Sequence, residues 1–207
     1  MSYQFDNVKI RKLSLGALQT NCYLIQSDFS PLITLIDPGS ETERIIAELG
    51  ETKIDKVILT HGHYDHIMAV NDLAERYAFD LYVHELEVDL IEDAAKNGSA
   101  IYAGVDYIIS KTPITVRDGD VIASSGLAFQ VVHTPGHTKG SCCFKLALPS
   151  ENILFTGDTL FKGGYGRTDF YSGDFSSLVN SMRRLLKLPG THFCFCGHGE
   201  ETIVGKK

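Results

Sequence analysis

The sequence predicts an α/β fold in which two sheets pack together with helices outside. Three observations carry that prediction. β-favouring runs fall in two blocks, over residues 8–36 and 121–156, and a helix-periodic stretch follows each block. The 207 residues are 43% hydrophobic, enough for a substantial buried core. No linker, low-complexity segment or repeat interrupts them, so residues 1–207 are assigned to one domain.

Residues 8–15, 21–26 and 32–36 are three β-favouring runs separated by turns, and they read as an antiparallel meander. Asp37-Pro38-Gly39 ends it. Ser40-Glu41-Thr42-Glu43 is a capping-box pattern that opens a helix with Ile45, Ile46 and Leu49 inward, stopped by Gly50. Residues 56–60 form the next strand. A helix from His66 to Tyr77 follows, with Asp65 as its N-cap, and residues 81–83 are a further short strand. Between Asp93 and Pro113 the periodicity fades. Gly98, Gly104, Tyr102 and Tyr107 there leave two readings open, a lid over a site or a surface loop packed by its own tyrosines. Runs at 121–123, 127–133, 142–148 and 153–156 make the second sheet. Asp174 caps a helix with Leu178, Met182, Leu185 and Leu186 inward, Pro189-Gly190 stops it, and residues 192–196 are the last strand.

Charge narrows the partners. Nineteen Lys and Arg stand against 26 Asp and Glu, a net of -7 without long runs, which argues against nucleic acid and anionic membranes and leaves a small-molecule substrate. No stretch has the length of a membrane span, and Met1 to Asn7 lack the apolar core of a signal peptide, so cytoplasmic residence is expected. The five cysteines, Cys22, Cys142, Cys143, Cys194 and Cys196, lie in apolar runs without C-x-x-C spacing and read as reduced, buried thiols. Nothing fixes an oligomeric state.

The chemistry is concentrated in His61-Gly62-His63-Tyr64-Asp65-His66, at the end of the strand over residues 56–60. His61 and His63 are two apart and point the same way from an extended chain, while Asp65 and His66 approach from another side. Such spacing makes two half-sites, and imidazole with carboxylate suits zinc first, with iron or manganese as further fits. Two metals need more ligands. Gly136-His137, Gly157-Asp158 and Gly197-His198 each place a ligand type after glycine at a strand end, where glycine permits the close approach and torsions a ligand requires. His84, His133 and His192 are read as packed or surface side chains.

In order along the chain, T-H-x-H-x-D-H at Thr60 to His66, P-G-H-T at Pro135 to Thr138, G-D-T-L-F at Gly157 to Phe161 and G-H-G at Gly197 to Gly199 resemble the metallo-β-lactamase superfamily. Within it the chain is similar to the short, single-domain, glyoxalase II-like hydrolases of the hydroxyacylglutathione hydrolase type. The N-terminal Gln19-Thr20-Asn21-Cys22-Tyr23-Leu24 and Ile36-Asp37-Pro38-Gly39 share the likeness. The resemblance implies an αββα four-layer sandwich. It also implies that His61, His63 and His137 hold one metal, that Asp65, His66 and His198 hold a second, and that Asp158 bridges both. Only residues 199–207 follow His198, where full-length glyoxalase II enzymes carry a helical domain that grips glutathione, so hydrolysis is a firmer expectation than glutathione.

A water between two such cations ionises near neutral pH, so the expected reaction is attack of a bridging hydroxide on a thioester such as S-lactoylglutathione. Asp65 and Asp158 are the catalytic candidates, orienting that water while serving as ligands. Lys162, Tyr165 and Arg167 lie in the glycine-rich turn Lys162-Gly163-Gly164-Tyr165-Gly166-Arg167 and are the candidates for the substrate's anionic end. For Arg167 an internal ion pair to Asp169 stays open. Gly166-Arg167-Thr168-Asp169-Phe170 also resembles glutathione persulfide dioxygenases, which use one iron; the ending Gly197 to Thr202 resembles the hydrolases better. A metal that merely staples the fold needs four ligands in a closed site, not seven.

Overall fold

The computed structural model describes residues 1–205. Strands β1 (Ser2–Phe5), β2 (Val8–Leu15), β3 (Thr20–Ser27), β4 (Ile33–Ile36), β5 (Ile54–Ile58), β6 (Asp80–His84) and β7 (Ile114–Val116) lie in that order in one sheet. Pairing is antiparallel from β1 to β4 and parallel from β4 to β7. Parallel neighbours need a crossover, which helices provide. Helix α1 (Thr42–Leu49) joins β4 to β5, α2 (Tyr64–Ile67) with α3 (Val70–Arg76) joins β5 to β6, and α4 (Val88–Ile91) lies in the β6–β7 connection.

The second sheet contains β8 (Val121–Ser124), β9 (Leu127–His133), β10 (Cys142–Ala147), β11 (Asn152–Gly157), β12 (His192–Cys196) and β13 (Thr202–Val204), in the order β13-β12-β11-β10-β9-β8. Only β11 and β12 pair in parallel there, with α5 (Phe175–Leu186) as their crossover.

The sheets meet face to face. Ile10, Tyr23, Ile25 and Ile58 of the first pack on Phe129, Phe144, Phe155 and Phe195 of the second. The opposite face of the first sheet is covered by Ile45 and Leu49 of α1 and by Val70 and Leu73 of α3, and that of the second by Leu185 of α5 against Cys143, Leu154 and Cys194. The layers run helix, sheet, sheet, helix. Truncating a ring at the central seam, as in Phe155→Ala, costs about 3–5 kcal/mol in such cores.

Several local expectations are corrected. The capping box does not form: Glu41 takes a left-handed conformation at the N-cap of α1 without a side-chain cap bond, its carboxylate accepting instead from Gly16 N at 2.6 Å and pairing with Arg44. The helix after the histidine cluster is two pieces, because Met68 N and Ala69 N also donate to Gly39 O and Pro38 O, docking the Pro38-Gly39 loop at the break. His63, in extended conformation, is the N-cap of α2, and Asp65 lies in its first turn with its side chain used elsewhere. Leu186 is 60% exposed, Ile46 is half-buried, and β12 is followed by β13. The short strands β1, β7 and β13 were not foreseen. Short edge segments carry too few residues to establish a period.

Within residues 93–113, Ser99–Ala103 form one π-helical turn. Tyr107 Oη donates to Ile67 O at 3.0 Å, and Ile109 is buried, so this end packs on the first sheet's helices. Tyr102 turns the other way and stacks on Phe170 with centroids 4.9 Å apart.

Candidate metal centre

Strand ends from both sheets converge at one edge of the sandwich. His61 and His63 follow β5, Asp65 and His66 ride the first turn of α2, His137 lies in the β9–β10 turn, Asp158 follows β11, and His198 follows β12. The parallel register of β11 on β12 shifts between Phe155 and Gly157, just before Asp158. Glycine is required by space here. A Cβ on Gly197 would lie 2.1 Å from Asp158 Oδ1, and one on Gly39 would lie 1.7 Å from Asp65 O.

The N-terminal hairpin closes the site. Asn21 N donates to Gly197 O at 2.7 Å, and the Asn21 amide reaches Cys196 O and Gly199 O, each at 3.0 Å. These bonds seat the β2–β3 turn on the His198 turn. Thr20 Oγ1 then donates to Asp65 Oδ2 at 2.6 Å.

The seven ligand-type residues foreseen in the sequence are brought together. Within each of three groups, His61/His63/His137, His61/His66/Asp158 and Asp65/His66/His198, one nitrogen or oxygen per residue lies within 4.8 Å of the others. Asp158 faces both ends: Oδ1 is 3.4 Å from His66 Nε2, and Oδ2 is 3.5 Å from His137 Nε2 and 3.4 Å from His198 Nε2. Asp65 Oδ2 is 3.5 Å from His66 Nε2 and 3.4 Å from His198 Nε2.

The hydrogen-bond network sets the tautomers. Thr60 Oγ1 gives its proton to Asp37 Oδ2 at 2.6 Å, so His61 Nδ1 donates to that hydroxyl at 3.1 Å. His66 Nδ1 donates to Asp37 Oδ2 at 2.9 Å, His137 Nδ1 to Arg167 O at 2.7 Å, and His198 Nδ1 to Leu18 O at 3.1 Å. Each of these rings therefore turns Nε2 toward the cluster. His63 turns Nδ1 inward instead, 2.9 Å from His137 Nε2, while His61 Nε2, His66 Nε2 and Asp158 Oδ1 are buried without a hydrogen-bond partner. Buried polar atoms left unpaired are costly, and a cation between convergent imidazoles and a carboxylate removes that cost. The donor set fits divalent metal, and its clustering suggests a two-metal site.

The field is not uniform across the cluster. Burial pushes the His61 imidazole far below its ordinary range, with His66, His137 and His63 adding to the effect. Burial, then His137, brings His63 down to about 3. Burial opposes charge on His66 as well, but Asp65, Asp158 and Asp37 outweigh it and hold that ring well above its usual value. His198 is raised to about 9, its burial being overcome by hydrogen bonds to Asp158 and Asp65. Burial would raise the Asp65 carboxyl, yet His66, His198 and Thr20 hold it down at about 2, and His66 and His198 keep Asp158 well below the carboxylate range.

The glycine-rich turn borders the cluster without pointing its cations into it. Arg167 forks onto Asp169, with Nε and Nη2 each 2.6 Å from a carboxylate oxygen, and its guanidinium lies 3.8 Å from the Phe170 centroid. Lys162 pairs with Glu200, and Tyr165 is half-exposed beside Phe175. Phe170 stands edge-on to His63 with centroids 5.6 Å apart, and Phe161 does the same to His198 at 5.9 Å. His84 and His133 stack on each other away from the cluster, and His192 is buried in β12. Among the described residues all five cysteines are free and buried.

Thr20, Asp37 and Glu87 were missed as supporting residues. Asp37 alone carried a local signal, a carboxylate at a strand end before Pro-Gly, and its φ of 51° marks a strained position.

This geometry agrees with what the chain is similar to. Residues 15–198 match the family model described as the metallo-beta-lactamase superfamily. The hydroxyacylglutathione hydrolase GloC of Haemophilus influenzae is 32% identical over 205 residues, covering 97% of this chain and 95% of that protein. The crystal structure of BLEG-1 B3 metallo-beta-lactamase superposes with a TM-score of 0.85 at 32% identity, covering 94% of this chain and 93% of that one. TTHA1623 in a di-iron-bound form superposes with a TM-score of 0.80 at 33% identity, covering 93% of each chain. With the family model spanning every candidate ligand and the four layers reproduced in solved relatives, the chain belongs to the metallo-beta-lactamase superfamily.

Proposed function

We propose that this metal-dependent hydrolase cleaves a thioester, with a glutathione thioester of the S-lactoylglutathione type as its leading substrate. In this reading His61, His63 and His137 hold one divalent cation, Asp65, His66 and His198 hold a second, and Asp158 serves both. One observation carries it: the unpaired Nε2 atoms of His61 and His66 from the first sheet and the Nε2 atoms of His137 and His198 from the second surround a single buried carboxylate that reaches both groups. Zinc suits the donor set, as do iron and manganese, and the di-iron form of TTHA1623 supports iron in a related chain.

Such a pair of cations supplies an acidified water and a polarised carbonyl. The chain's own groups do the rest. Asp65 and Asp158, both held ionised, accept hydrogen bonds from the attacking water and fix its direction. Thr20 holds Asp65 in place from behind. The side chains that converge are all ligand types, which suits a thiolate, because a thiolate departs without protonation. A β-lactam nitrogen needs a proton as it leaves, so the thioester is favoured over the substrate named by the BLEG-1 likeness, and the name of the Haemophilus relative supports the same choice. Lys162, Arg167 and Tyr165 are proposed to meet the substrate's anionic end. The exposed pairs Lys162–Glu200 and Arg167–Asp169 are ones that a substrate carboxylate can exchange into.

The test is metal analysis of purified protein beside parallel assays of glutathione-thioester hydrolysis, β-lactam hydrolysis and oxygen uptake with glutathione persulfide. About two metal equivalents with thioester turnover is the expected result. One iron per chain with oxygen uptake and no hydrolysis would replace this reading with a persulfide dioxygenase.

A further inference from the structure

We propose that Glu87 is a positioning residue for the three-histidine half of the cluster, clamping the turn that carries His61 and His63 to the turn that carries His137. The proposal rests on the two-metal reading above. Glu87 ends the 3-10 turn after β6 and is fully buried. Its Oε2 accepts from Gly62 N at 2.7 Å, and its Oε1 accepts from Gly140 N and from Thr138 Oγ1, each at 2.7 Å. Gly62 stands between His61 and His63, and Thr138 follows His137. The first turn leaves the first sheet and the second turn belongs to the second sheet, so one side chain spans the seam between them.

The glycines give an independent sign of the same design. Neither Gly62 nor Gly140 has a positive φ, so backbone freedom does not explain them. A Cβ on Gly140 would lie 2.8 Å from both Glu87 Cγ and Oε1, and one on Gly62 would lie 3.2 Å from Oε2 and 2.8 Å from Leu90 Cβ. Gly140 reserves room for Glu87, and Gly62 for Leu90 and Ile91 together with the carboxylate.

A carboxylate is an expensive group to bury, and burial pushes Glu87 up to about 7 despite its three donors. An apolar side chain would fill the space more cheaply but would orphan two buried N–H groups. The planar carboxylate also holds its two oxygens at a fixed separation, so accepting on both fixes the distance between the turns. Metal ligands need placement to within about 0.5 Å, which a rigid clamp provides and loose packing does not.

The experiment compares metal-free wild type, Glu87→Gln and Gly140→Ala, titrated with zinc(II) and cobalt(II) alone. It reads equivalents bound, the affinity of each step, the cobalt d–d spectrum and the melting temperature of the metal-free protein. Glutamine keeps the shape but must set its NH2 against Gly62 N–H or Gly140 N–H, opening one arm. Gly140→Ala keeps the charge and displaces the clamp, so it decides the matter if Glu87→Gln does not fold.

Either variant is expected to weaken one binding step about tenfold or more and to alter one cobalt spectrum, while the other step stays at its wild-type value. The loss should persist in a His198→Ala background, where the three-histidine half is the one left intact. Wild-type affinities and spectra with only a lower melting temperature, or equal losses at both steps, would reduce Glu87 to a fold-stabilising residue. Wild-type protein that takes up one cation would overturn the two-metal reading instead, and the effect of Glu87→Gln on that cation's spectrum would still decide the clamp.

Discussion

The two halves of the cluster are built in opposite ways. His61, His63 and His137 are buried imidazoles from two turns that Glu87 ties directly together. In the other half Asp65 and His198 are more open, their side chains being 14% and 26% exposed, while His66 is fully buried, and the partners come from remote segments: Thr20 on Asp65, Asp37 on His66, and Leu18 O on His198. Burial and neighbouring imidazoles hold His61 and His63 low, whereas Asp65 and Asp158 hold His66 and His198 high. The difference teaches that one half is fixed where two turns meet across the sheet seam, whereas the other is completed by the N-terminal hairpin docked on the C-terminal turn.

Asp158 is the one side chain common to both, so its loss is expected to have the largest effect. Asp158→Ala should lower metal content from about two equivalents to one or fewer and thioester turnover by more than about 100-fold, read by elemental analysis and steady-state kinetics. Two equivalents retained at more than a tenth of wild-type kcat would mean that the halves do not share a carboxylate.

That asymmetry also explains what the sequence made legible. The seven ligand residues were readable because each sits at a strand end, four of them directly after glycine, and because four of them fall within His61 to His66. The main strands were readable because residues such as Ile10, Ile25, Phe129 and Val131 alternate with less buried ones or sit in long apolar runs. Thr20 and Glu87 were not readable, and Asp37 only by its place before Pro-Gly, since each acts across 23 or more positions and only the packing of loops selects them from other buried or half-buried polar residues. The capping box failed for a related reason: the N-cap is Glu41 rather than Ser40, and the Glu43 carboxylate pairs with Arg76 of α3 at 2.6 Å, a contact across the fold in place of the local one.

Thr20→Val tests whether the open half depends on the hairpin alone. It keeps the side chain's shape and removes the 2.6 Å donor to Asp65 Oδ2. The expected result is a loss of about tenfold in affinity at one metal step, with a matching fall in kcat and no change at the other step. It is the mirror image of Glu87→Gln, and the two should weaken different steps. If both variants weaken the same step, or each weakens both, the halves are one cooperative unit and the contrast between them fails.

The smallest effect is expected from Arg167, whose main chain and side chain serve different ends. Its carbonyl accepts from His137 Nδ1 at 2.7 Å and so supports the buried half, while its guanidinium lies outside, forked onto Asp169 over the Phe170 ring. Arg167→Ala keeps the carbonyl and removes only the outer part, so metal content and kcat should stay near wild type. An exposed pair between long side chains contributes little to stability, so the melting temperature should hardly move. If the guanidinium meets a substrate carboxylate in ground and transition states alike, KM for a glutathione thioester should rise about three- to tenfold, and KM for an uncharged thioester should not. Asp169→Ala supplies the opposite sign. It frees the fork from its internal partner, so KM for the charged substrate should fall, because the substrate no longer competes with Asp169 for the same planar donors. Identical KM values for charged and uncharged thioesters in all three proteins would leave Arg167 as an internal ion pair that borders the buried half and takes no part in recognition.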